Sequence, residues 1–140
     1  MNTVQVLLPG DARSAGRARG FLAETLAKWG ARQYWDAAAI LVSELVANAA
    51  LHARSEITMC LTLDPSFLRV EVSDRSRLLP VERHYGVQAA TGRGLMIVAA
   101  LARDWGVEVH PEGKTVWARL EDDPPGSPGA SGPSGGGVAR

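Results

Sequence analysis

The chain has 140 residues, 46% of them hydrophobic, and its 15 basic side chains balance 15 acidic ones. This length and composition describe one domain able to bury a core. The zero net charge supplies no field that would draw nucleic acid or an acidic membrane surface. A single cysteine, Cys60, excludes a disulfide framework, and its place in an apolar run predicts a buried structural thiol. The N-terminus lacks a basic start followed by a long apolar run. No stretch approaches the roughly 18 uninterrupted apolar residues of a membrane helix, so a cytoplasmic protein is expected.

In chain order, Val4 to Leu8 reads as a short strand stopped by Pro9-Gly10. A helix follows from Ala15 to Trp29, with Phe21, Leu22, Leu26 and Trp29 at helical spacing, Asp11 or Ser14 as its cap and Gly30 as its stop. After a break at 30–36 comes the most informative stretch, a helix running to about Ala53. Ile40, Leu41, Leu45 and Val46 give it a buried face. Glu44, Asn48 and His52 interrupt that apolar sequence at intervals of four. With about 3.6 residues per turn they drift only about 40° per step, so they share one narrow stripe. A carboxylate there must be solvated, paired or used to bind something.

Two strands follow, Glu56 to Leu63 and Phe67 to Val72, joined by the turn Asp64-Pro65-Ser66. The second gives out at Ser73-Asp74. From Arg75 to Thr91 periodicity disappears, and a structureless stretch of this length is read as a mobile lid. It ends in Thr91-Gly92-Arg93-Gly94, which introduces a short apolar helix to Ala102. Glycines let a backbone approach a ligand closely, and helix N-terminal amides favour anions such as phosphate. The last strands are Trp105 to His110 and Thr115 to Leu120, joined by Pro111-Glu112-Gly113-Lys114, where Lys114 is expected to be exposed. Trp105 and Trp117 are expected in the core or on a sheet face. Residues 124–140, rich in Pro, Gly and Ser, are expected to be a disordered tail behind an ordered domain of residues 1–123. The three histidines form no metal-ligand pattern, and both the G-x-G-x-x-G fingerprint and the P-loop are absent.

Taken in order, the Glu44–His52 helix, the strand ending in Asp74, the Thr91–Leu95 glycine turn and the Gly113-Lys114-Thr115 turn resemble the GHKL ATPase superfamily. Within it, the chain is similar to the anti-sigma-factor serine kinases and related ATP-binding regulators of actinobacteria. The resemblance covers Val4 to Leu120. It implies the Bergerat, or histidine kinase-like ATPase, fold: an α+β two-layer sandwich whose mixed, mostly antiparallel sheet carries helices on one face. It also implies ATP and magnesium as ligands. By resemblance Asn48 coordinates the magnesium ion, for which a neutral amide oxygen is a suitable hard ligand. Glu44 matches the general base, and Asp74 the aspartate that accepts a hydrogen bond from the adenine amino group. Gly92, Arg93 and Gly94 match the phosphate-binding glycine box, and Thr115 a threonine near the adenine end. One departure is visible, since Arg75, Ser76, Arg77 and Leu78 follow Asp74 where the superfamily usually has glycines.

The function so implied is a regulatory ATP-dependent serine/threonine protein kinase of the anti-sigma type, expected as a homodimer. Its implied substrate is an anti-anti-sigma-like protein, with a sigma factor as a further candidate partner. The alternatives are a nucleotide-binding module that sequesters a partner without phosphorylating it, and a slow ATPase. A histidine kinase catalytic domain is disfavoured, because no helix bearing a phosphoacceptor histidine precedes the domain.

Overall fold

The computed structural model describes residues 1–53, 55–76 and 96–122, with the side chains of residues 52 and 53 excepted. The elements are β1 (Asn2–Leu8), α1 (Ser14–Trp29), a single 3-10 turn (Arg32–Tyr34), α2 (Trp35–Ala53), β2 (Ile57–Asp64), β3 (Phe67–Asp74), β4 (Asp104–His110) and β5 (Gly113–Glu121). Residues 96–101 are also helical. Of the expected lid, Arg75 to Thr91, all but its first two residues lie outside the described residues, as do the glycine turn and the expected tail at 124–140.

The strands form one sheet in the order β1-β2-β3-β5-β4, and all four pairings are antiparallel. Alternation along the strands decides which face is covered. Ile57, Met59 and Leu61 of β2, Leu68, Val70 and Val72 of β3, and Val116, Ala118 and Leu120 of β5 are buried on one face. Against them pack Ala18, Leu22 and Leu26 of α1 and Ala38, Leu41, Val42, Leu45, Val46 and Ala49 of α2. Trp105 joins this core. The result is the expected two-layer α+β sandwich with helices on one face. By length and composition the stretch Arg32–Leu51 is apolar enough to cross a membrane. In the fold it packs against α1, β2 and β3 instead, as a core helix.

The other face of the sheet is shielded by its own side chains. The Arg69 guanidinium lies 4.5 Å from the centre of the Trp117 ring and bonds Glu71 at 2.9 Å. Arg119 lies over Phe67 and bonds Asp104 at 3.0 Å. Cys60 is half-buried on this face, opposite Glu71. Burial, and after it the Glu71 carboxylate, pushes its thiol pKa up.

Two local expectations need correction. Neither Asp11 nor Ser14 caps α1 with its side chain. Asp11 accepts hydrogen bonds from the backbone and guanidinium of Arg13, and Ser14, already helical, donates its hydroxyl to the Pro9 carbonyl. In α2, Ile40 is 47% exposed, because the buried arc runs through Ala38, Leu41, Val42, Leu45 and Ala49, and position 40 falls on the far side of it. The C-terminal stop of α1 is as expected. Gly30 adopts the left-handed conformation (φ 66°), and Ala31 N–H reaches the Leu26 carbonyl at 2.8 Å while Gly30 N–H reaches that of Ala27 at 3.3 Å.

Candidate functional site

Glu44 and Asn48 sit one turn apart at the border between the buried arc of α2 and solvent, and both are half-buried. Among the described residues neither side chain makes a hydrogen bond. The short link 54–56 carries the chain from the end of α2 into β2, whose Thr58 stands opposite Ser73. The C-terminal end of α2 therefore lies at the same end of the sheet as Asp74.

At that end β3 and β5 build a compact corner. Asp74 stands directly across the ladder from Lys114, both on the helix-covered face. The Lys114 ammonium donates to the two Asp74 carboxylate oxygens at 3.1 and 2.9 Å. Their side chains are only 3% and 2% exposed. Ser76 N–H donates to the first of those oxygens at 2.7 Å. The corner closes because Gly113 has no side chain, since a Cβ there would lie 1.9 Å from the Asp74 carbonyl oxygen. The next pair along, Ser73 and Thr115, points to the opposite face. The Thr115 hydroxyl lies 2.7 Å from that of Ser73 and 2.9 Å from His110 Nε2. An open cleft of about 310 Å³ lies over this corner, with Glu56, Arg75 and Glu112 at its margin.

The structure thus joins Asp74 and Thr115 in one corner but on opposite faces of the sheet. Gly92, Arg93 and Gly94 fall outside the described residues. Lys114, expected as an exposed turn residue, is buried and paired. Alternation counted outward from Val72 and Val116 was the signal that would have found it, because that count brings Asp74 and Lys114 face to face. No group of three or more metal-ligating side chains occurs among the described residues.

The donor set can be compared with the ligands that the resemblance implies. The Asn48 amide oxygen and the Glu44 carboxylate, half-buried and free of hydrogen bonds to described residues, suit magnesium and proton transfer respectively. The adenine end fits less well. The Asp74 side chain is 2% exposed, and the ammonium and the Ser76 amide already take three of its roughly four acceptor positions.

Residues 8–120 match the family model described as the histidine kinase-like ATPase domain. The chain belongs to this family. No curated protein matches it. A solved structure with the same fold is "The crystal structure of the RsbU and RsbW domains of Rv1364c from Mycobacterium tuberculosis", at a TM-score of 0.65 and 20% sequence identity. The match covers 86% of this chain and 32% of that one, so this histidine kinase-like ATPase domain spans about a third of the length of the protein it resembles.

Proposed function

We propose that the chain is an ATP-binding regulatory serine/threonine protein kinase of the anti-sigma type, cytoplasmic and homodimeric, acting on an anti-anti-sigma-like partner. The observation that carries this reading is the pair Glu44 and Asn48, half-buried in an otherwise apolar helix and with no side-chain hydrogen bonds to described residues. Membership of the histidine kinase-like ATPase family supports it. Glu44 accepts the proton of the partner's hydroxyl, and Asn48 offers its amide oxygen to magnesium. The ion, when bound, neutralises phosphate charge. Positioning and charge neutralisation then supply most of the rate.

A second reading is a nucleotide-binding module that sequesters its partner without chemistry. Transfer of labelled γ-phosphate to a co-expressed anti-anti-sigma-like acceptor separates the two. Glu44→Gln is expected to cut the transfer rate by about 10²–10⁴ while leaving ATP binding in place. ATP binding without transfer to any acceptor would favour the module instead.

A further inference from the structure

The two edges of the sheet are guarded unequally. All seven residues of β1, Asn2 to Leu8, pair with β2 in unbroken register, so no bulge turns that strand away from a newcomer. Among the described residues no strand pairs with its other side, which leaves the amides and carbonyls of alternate residues there without ladder partners. Lysines, other charged side chains and prolines commonly protect such an edge, and Asn-Thr-Val-Gln-Val-Leu-Leu contains none of them. The opposite edge, β4, carries Asp104, Glu108 and His110. β1 is also incompletely covered. Val4 and Val6, opposite the buried Leu61 and Met59 on the helix-bearing face, are half-buried, and Leu7 on the other face is 58% exposed.

We propose that β1 is a self-association edge, at which a second copy of this chain lays its own β1 antiparallel across a twofold axis and joins the two sheets into one. This rests on the homodimeric reading above and supplies its interface. Gln5 is the middle residue of the strand, so full overlap places it opposite its own copy. Val4 then faces the partner's Val6, and Thr3 faces the partner's Leu7. Residues opposed in a ladder share a face, so the half-buried valines meet valines on the helix-bearing side and the exposed Leu7 gains a neighbour on the other. No like charges are brought together, because the strand has none. The same absence leaves the edge without a charge by which to select a foreign strand, whereas the chain's own β1 matches it on both faces at once and ends where it ends.

Sedimentation equilibrium of the full chain across a hundredfold range of concentration tests this, using the wild type, Gln5→Lys and Gln5→Glu, each checked for folding by circular dichroism. Gln5 is exposed, so both substitutions leave the core untouched. The wild type is expected to reach twice the 14.9 kDa mass of the chain at the upper end of the range. Either variant alone sets like charges face to face at the axis and should dimerise at least tenfold more weakly. An equimolar mixture of the two sets opposite charges there and should recover the dimer. A wild type that dimerises while both variants do so equally well overturns this contact and leaves the homodimeric reading standing. So does a mixture that stays monomeric. A wild type that is monomeric at every concentration overturns both. If either variant does not fold, amide hydrogen exchange of the wild type decides. In dilute solution β1 should exchange as an edge strand, and its amides should slow at least tenfold at the upper concentration while those of β4 stay unchanged. A wild type that dimerises with no such slowing in β1 overturns the proposal.

Discussion

Lys114 and Asp74 bring two opposite charges out of water, and the cost of desolvating both offsets most of their attraction. Breaking the pair is another matter, because one charge stays buried alone. Lys114→Met is expected to lower the unfolding free energy by about 3–5 kcal/mol, whereas Asp74→Leu with Lys114→Met is expected to be near neutral. Urea unfolding of the four proteins of this double-mutant cycle measures it. Tyr34 gives a second test, through pH. It is 4% exposed, and burial, helped by the carboxylates of Asp122, Glu121 and Asp64, pushes its phenol up to about 12. An unfolded tyrosine titrates near about 10, so the folded state holds its proton longer. The stability from this group is complete below about pH 10 and is lost as pH rises from there to about 12. Unfolding midpoints measured across that window should fall in the wild type and fall less in Tyr34→Phe. At this scale the sequence revealed Glu44 and Asn48, because helical period alone places them on one stripe. It did not reveal Lys114, whose surroundings depend on a strand 40 positions earlier.

Two glycines with different duties separate the elements. Gly30 has open space around its missing Cβ but a left-handed backbone, so Gly30→Ala is expected to cost about 1–2 kcal/mol from conformation alone. Gly113 meets the Asp74 backbone, so Gly113→Ala must part β3 from β5 and is expected to cost at least about 3 kcal/mol. Chemical denaturation of both variants checks the order. The end of α2 at Ala53 and the hairpin turn after Asp64 were legible because local chemistry writes them, whereas α2 begins at Trp35, inside the break expected at 30–36. Asp64 accepts hydrogen bonds from both the backbone and the hydroxyl of Ser66 at 3.0 Å. The start of α1 was less so, since the polar side chains that look like caps there are engaged elsewhere.

For the whole molecule, the strand order leaves β1 and β4 at the sheet edges and β2, β3 and β5 between neighbours. Native-state hydrogen exchange is expected to be slowest for the amides of β3, flanked on both sides and covered by α2, and faster in β1 and β4. Uniform protection across all five strands would contradict that ranking. The two-layer architecture could be read from alternation and helical period, which are local signals repeated many times along the chain. The candidate site was harder to read. The corner of β3 and β5 depends on who faces whom across two strands far apart in sequence.

Because Asp74 and Lys114 stand directly across the ladder, they also key the alignment of β3 with β5. Sliding β5 by one residue would turn Lys114 outward, bring Thr115 beneath the helices and strand the aspartate without a counterion. An apolar ladder of similar valines and leucines tolerates such slippage more readily than a charged pair does. The buried pair would thereby guard the strands against misregistration as the sheet assembles.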